Sequence, residues 1–116
     1  MNPPVIRDEL GLLDGLVDLA RHPRVIELGC GAAQLSRRLL ERFESAEVTA
    51  LEVDERQHAK NLASPQARLT FVAAGAQAIP FEAGRFDLAL MLKSLHHVPL
   101  DLLDAALAEV HRVLRP

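Results

Sequence analysis

Residues 25–34 read Val-Ile-Glu-Leu-Gly-Cys-Gly-Ala-Ala-Gln, and the rest of the chain is organised around them. A short apolar strand meets an acidic residue, Glu27, and opens into a turn at Gly29 and Gly31. A helix follows, with apolar positions at Ala32, Leu35, Leu39, Leu40 and Phe43 at close to helical spacing. Strand, Gly-x-Gly turn and helix form a nucleotide-binding corner. The glycines permit a tight turn and close approach of a ligand to the main chain, and the new helix directs unpaired N–H groups at that spot. Gly-x-Gly alone also describes an ordinary strand-to-helix turn, but two carboxylates sharpen it. Glu27 is a charge near the end of a strand that should be buried. Glu52 ends the next predicted strand, about 20 residues past the turn, where a carboxylate meets a ribose hydroxyl. The pattern predicts a nucleoside-type ligand.

With 116 residues, the chain has room for one modest domain and one core. A hydrophobic content of 49% makes it globular rather than disordered. The formal net charge is -3, there is no Trp or Tyr, and no basic cluster stands out. Both a phosphate-tracking stripe and a stacking platform are missing, which argues against direct nucleic-acid binding. The apolar runs are too short to span a bilayer. Residues 1–8 lack the basic start and apolar run of a signal peptide, so a soluble cytoplasmic protein is expected. The single cysteine, Cys30, makes no internal disulfide and no zinc pattern.

Along the chain, Leu10, Leu13, Leu16 or Val17, and Ala20 predict a helix over Arg7–Ala20, weakened by Gly11 and Gly15 and ended at His22-Pro23. Strand one is Arg24–Leu28. The next helix runs from Ala32 to Phe43, with Arg37, Arg38, Glu41 and Arg42 as a solvated face. Strand two is Glu47–Leu51. Asp54 caps the following helix with Gln57 completing a capping box, which leaves Glu52 the better ribose ligand; a one-residue shift would exchange the two roles. His58 is expected to face solvent. Strand three is Arg68–Ala73, followed by the small-residue loop 74–80. Strand four is Phe86–Leu92, apolar after Asp87 in the manner of a parallel strand covered on both faces. Pro99 and Asp101 suit the start of a last helix whose stripe is Leu103, Leu107, Val110 and Leu114, with Arg112 and Arg115 at its C-terminal end. Alternating helices and strands predict an α/β, Rossmann-like parallel sheet with right-handed crossovers and helices on both faces, in the order 3-2-1-4. The ligand belongs at the carboxyl ends of strands one and four, where the order reverses.

The chain resembles the class I S-adenosylmethionine-dependent methyltransferases of the small-molecule type. The resemblance lies in VIELGCG (25–31), VTALEVD (48–54), FVAAGAQAIPF (71–81), RFDLAL (85–90), SLHHV (94–98) and EVHRVLRP (109–116), in the family's order over nearly the whole chain. It implies S-adenosyl-L-methionine as cofactor and a small-molecule methyl acceptor. Glu27, Gly29, Cys30 and Gly31 would line the methionine part, Glu52 would hold the ribose hydroxyls, and Val53 would lie beside the adenine. Ala76 and Gln77 would face the adenine edge. Leu92 and Lys93 would close the floor near the sulfonium, and Ser94, His96 and His97 would face the acceptor. Three departures stand out. Ala33 replaces a frequent third glycine. Gly75 replaces a frequent aspartate that binds the adenine amino group, a loss Gln77 offsets only in part. The family continues beyond Arg-Pro with two glycines and three more strands, so the chain looks like the first part of a longer domain. Strand four would then be an open edge that invites pairing with a second copy, a homodimer.

Methyl transfer from a sulfonium needs orientation more than protein chemistry, and no metal is required in principle. An acceptor that must lose a proton would use His97 or His96 as base; the bland alternative is that the pair caps backbone or packs on the cofactor. Lys93 either binds an acidic substrate or pairs with Glu27. Cys30 reads as a packed residue rather than a nucleophile. Two rivals are a nicotinamide-dependent dehydrogenase, disfavoured because Gln34 stands where its third glycine belongs, and a non-catalytic nucleoside-binding or interaction module.

Overall fold

The computed structural model describes residues 23–90 and 100–115, with side chains described from residue 102 in the second segment. The expected helix at Arg7–Ala20, together with His22, Leu92, Lys93, Ser94, His96, His97 and Pro99, lies outside the described residues.

Four strands, β1 (Arg24–Leu28), β2 (Glu47–Leu51), β3 (Leu69–Val72) and β4 (Leu88–Leu90), form one parallel sheet in the order β3-β2-β1-β4. The helices are α1 (Gln34–Arg42), α2 (Glu55–Leu62) and α3 (Leu100–Val113). Val25 pairs with Val48 and Leu88 on its two sides, and Glu27 with Ala50 and Leu90. The glycine turn therefore leaves the sheet at its centre, between the second and fourth strands, as the predicted order requires.

Alternate residues of the strands feed two apolar layers. Val25, Val48 and Leu90 pack with Leu39 and Leu40 of α1. Ile26, Leu28 and Leu51 pack on the other face with Ile79, Phe86 and Val113. Ile26 and Val25 are fully buried, as befits a central strand covered on both faces. No helix among the described residues is long and apolar enough to cross a membrane.

Several boundaries differ from expectation, each for a local reason. α1 begins at Gln34 rather than Ala32 because Ala33 takes a left-handed conformation, φ 60°; Ala32 is exposed, and Ser36 joins Leu39 and Leu40 on the buried face. Arg37 is not simply solvated: it donates to the Ser64 carbonyl at 2.9 Å and lies over the Phe71 ring. β3 begins after Arg68, which has φ 65°, and its guanidinium donates to the carbonyls of Leu40 and Phe43 at the end of α1 and of Ala46 just before β2. That arrangement closes carbonyls a helix C-terminus leaves open. His58 does not face solvent. It is half-buried on the inward rows of α2, and its Nδ1 is screened from water without a hydrogen-bond partner.

The ladder of β4 starts at Leu88 because Phe86 is diverted into a parallel bridge with Leu114. Phe86 N–H donates to the Val113 carbonyl and Arg115 N–H to the Phe86 carbonyl, both at 2.8 Å. The beginning of this outer strand is therefore covered by the end of α3, not open as expected. Asp87 fixes the same point, accepting from Arg24 N–H at 2.8 Å and from Arg115 at 3.0 Å. On α3 the buried face runs through Ala106 and Val113 with Val110 and Leu114 packed beside them, whereas Leu107 is half exposed. Ala106 and Val113 lie seven residues apart, two helical turns on one face; Leu107 sits about 100° round from that line.

Candidate functional site

The site is built where β1 and β2 end. Gly29 has φ 63° and Gly31 φ 57°, conformations that favour glycine over any residue with a Cβ. Gly31 adds a second reason: a Cβ there would meet no atom within 4 Å, so open space lies in front of this turn. The turn is pinned to the neighbouring strand. Cys30 N–H donates to the Leu51 carbonyl at 2.9 Å, and Ala33 N–H closes back on the Cys30 carbonyl at 2.8 Å. Ala33 then starts α1 without a side-chain cap.

Two carboxylates flank this turn. Glu27, on β1, is 8% exposed and accepts a hydrogen bond from Ser36 Oγ on α1. Burial pushes its pKa up, opposed by the side-chain and backbone hydrogen bonds of Ser36. The expected partner, Lys93, lies outside the described residues, and Ser36 fills the need for a polar contact. Sequence reasoning missed Ser36; the available signal was a small polar residue inside the apolar stripe of α1, three residues before Leu39.

Glu52 follows β2 directly and is half-buried. It accepts from Gly31 N–H through Oε1 at 2.8 Å and from Asp54 N–H through Oε2 at 3.0 Å. A carboxylate has about four lone-pair positions, so roughly two stay available, the number of donors on a ribose diol. Asp54 takes the capping role instead, its Oδ1 accepting from Gln57 N–H at 3.0 Å. The cap expected at Asp54 is therefore present. Val53, between them, is 65% exposed, an apolar surface with nothing over it.

Cys30 registers both acids. Its thiol is pushed up to about 12, first by burial and then by the negative charges of Glu27 and Glu52. The thiol is thus protonated at neutral pH and unsuited to nucleophilic attack. The same field bears on the ligand: two acids beside the turn welcome a cationic group and oppose a pyrophosphate, which a dinucleotide would place at this spot.

The loop after β3 leaves the strand next to β2. At Gly75 a Cβ would come within 2.6 Å of Gln77 Oε1, so the Gln77 amide occupies the space a side chain at position 75 would enter. Ala76 is half-buried beside it. The loop is held from α3. Ile79 N–H donates to Glu109 Oε2 at 2.7 Å, and Arg112 donates to the carbonyls of Phe81 at 2.7 Å and Ile79 at 2.9 Å while bonding Glu109 itself. Arg112 thus does more than complement the end of its helix. The structure brings Glu27, Gly29, Cys30, Gly31, Glu52 and Val53 to one strand-end corner; Leu92, Lys93, His96 and His97 lie outside the described residues.

The fold defines a Rossmann-like α/β domain with a glycine turn at the central strand end. A family model described as a methyltransferase domain matches residues 25–116. The chain belongs to that methyltransferase-domain family. It is 34% identical over 101 residues to the ubiquinone/menaquinone biosynthesis C-methyltransferase UbiE of Rhizobium johnstonii, a match covering 79% of this chain and 37% of that protein. Among solved structures, a SAM-dependent methyltransferase from Aquifex aeolicus superposes with a TM-score of 0.81 over 94% of this chain and 59% of its own, at 20% identity. The 1,6-didemethyltoxoflavin-N1-methyltransferase of Burkholderia thailandensis, solved with 1,6-didemethyltoxoflavin and S-adenosylhomocysteine bound, gives 0.75 at 29% identity, covering 96% of this chain and 48% of that one. The chain thus spans about a third of the curated relative it matches.

Proposed function

We propose that this chain carries the cofactor site of an S-adenosylmethionine-dependent methyltransferase acting on a small-molecule acceptor. The observation that carries the reading is Glu52, bonded to Gly31 N–H at 2.8 Å at a turn with open space before it, with a second carboxylate, Glu27, on the strand that leads into that turn. A cation bearing an amino group and a ribose is the ligand such a corner suits. When bound, S-adenosylmethionine supplies a methyl group on a sulfonium for in-line transfer to a nucleophile.

In this reading the residues divide the cofactor among themselves. Gly29, Cys30 and Gly31 line the methionine portion with main chain, and Glu27 supplies the negative field there. Glu52 receives the ribose hydroxyls on its two remaining lone-pair positions. Val53 covers one face of the adenine, and Ala76 and Gln77 meet its edge, the Gln77 amide standing in for the acid absent at Gly75. Leu92 and Lys93 would complete the floor, and His97 or His96 would take a proton from an acceptor that must lose one; these four are assigned from sequence position. A small-molecule acceptor is in keeping with the names of the quinone-biosynthesis and toxoflavin enzymes that the chain resembles. Self-association, through the part of β4 beyond the stretch that α3 covers, belongs to the same proposal.

A non-catalytic nucleoside-binding module is the second reading, favoured by Gly75 where the resembled family often carries an adenine-binding aspartate. Calorimetric titration with S-adenosylmethionine, with NADH as control, tests the site. One-site binding of the sulfonium alone, weakened about tenfold or more by Glu52→Ala, is the expected result. Absence of heat from a folded chain overturns it. Turnover with a quinol or phenol acceptor then separates enzyme from binding module.

A further inference from the structure

The hydrogen bonds around Glu52 close on themselves. Gly31 N–H and Asp54 N–H donate to its two oxygens at 2.8 and 3.0 Å. Asp54 Oδ1 accepts from Gln57 N–H at 3.0 Å. Gln57 Nε2 donates to Asn61 Oδ1 at 2.9 Å, and Asn61 Nδ2 donates to the Gly31 carbonyl at 2.8 Å. The circuit returns to the residue where it began. Its least expected member is Asn61. At 2% exposure it is the buried residue of α2, the position an amphipathic helix ordinarily gives to an apolar side chain. A buried amide is costly unless its groups are bonded. Here Gln57 fixes the oxygen, and the nitrogen faces Gly31 with the Cys30 sulfur 3.8 Å away.

From this geometry we infer that Asn61 is a positioning residue for the ribose-binding carboxylate, acting through Gly31. The inference rests on the cofactor reading above. Gly31 is held on both sides of its Cα. Its N–H belongs to the peptide bonded to Glu52, and its carbonyl belongs to the next peptide, bonded to Asn61. A glycine with φ 57° and open space before it has no side chain to restrain either torsion. The two hydrogen bonds supply that restraint, with the Cys30 thiol as a weaker donor to the same carbonyl at 3.4 Å. Releasing the carbonyl lets the turn relax, the Gly31 N–H leaves Glu52, and the carboxylate loses the partner that orients its free lone pairs outward. The Gly31 carbonyl, an acceptor only, sets the Asn61 amide with its nitrogen inward, and Gln57 Nε2 then satisfies the oxygen on the other side.

The test uses the full chain and S-adenosylhomocysteine as probe. Asn61→Leu places an ordinary core residue at the buried position, so the thermal midpoint is expected to hold. Hydrogen exchange at the Gly31 amide should quicken while the amides of β1 and β2 stay protected. Affinity for S-adenosylhomocysteine should fall about tenfold, and the same substitution in a Glu52→Ala background should cost less than about twofold. Gln57→Leu, on a half-buried position that leaves Asn61 in place, should repeat the pattern at about threefold and serves if the first variant fails to fold. An unchanged Gly31 amide, or an equal loss with and without Glu52, overturns the positioning role. A wild-type chain that binds no S-adenosylhomocysteine, although its Gly31 amide responds to the substitution, overturns the cofactor reading and the ribose role with it.

Discussion

Ala33 shows what a single residue contributes at this corner. Its φ of 60° is a conformation that costs a non-glycine residue roughly 1–2 kcal/mol. Yet its methyl group is fully buried against Cys30 and Ala50. Glycine would relieve the strain but forfeit about 0.8 kcal/mol of methyl burial and about 0.4–1 kcal/mol of unfolded-state entropy. Ala33→Gly should therefore lie within about 0.5 kcal/mol of wild type in denaturant unfolding. Ala33→Val should cost more than about 2 kcal/mol, because it adds β-branched strain and volume to a filled cluster. A gain above about 1 kcal/mol from glycine would mean the methyl packing contributes nothing. The backbone strain at Ala33 was invisible in the sequence, where alanine reads as a good helix former and moved the expected start of α1 two residues early.

At the scale of elements, the clamp from α3 onto the loop after β3 joins parts of the chain about thirty residues apart. Glu109 is held down to about 2 from an ordinary value of 4.5, first by its hydrogen bonds from Arg112 and then by that from Ile79 N–H. A depressed folded-state pKa gives stability that is fully present above the unfolded value and lost as pH falls toward the folded one. Wild-type stability should thus decline between about pH 4.5 and pH 2 in part through this group. Glu109→Gln should flatten that part of the curve and lower stability at neutral pH, as followed by thermal midpoints across the acid range. An unchanged pH profile would show the clamp to be idle. Sequence periodicity found both α3 and the loop but not their connection, because the ends of helix side chains carry no periodic signal. For the same reason Leu107 was expected in the buried stripe: the spacing permits two neighbouring faces, and only the position of Phe86 and the sheet decides which one is covered.

At the scale of the molecule, the candidate site draws on β1, β2, α2 and the loop after β3, so a ligand there should stabilise the domain as a unit. At one hundred times its Kd, S-adenosylmethionine should add about 2.7 kcal/mol to the free energy of unfolding. A much smaller gain at that saturation would mean the corner opens independently of the sheet. The sequence by itself determined the parallel α/β sheet, its 3-2-1-4 order, β1 and β2 to the residue, and the acids Glu27 and Glu52, because apolar periodicity, glycine turns and strand-end charges are local features. Only the tertiary structure decided what holds those acids in place. Ser36 beneath Glu27 and Asn61 beside Gly31 reach from one element to another, as do Arg68 across the end of α1 and Arg112 under the loop, which brace the rest of the fold. Such partners follow from where buried polar groups must find hydrogen bonds once the core has closed, and that depends on packing rather than on any pattern along the sequence.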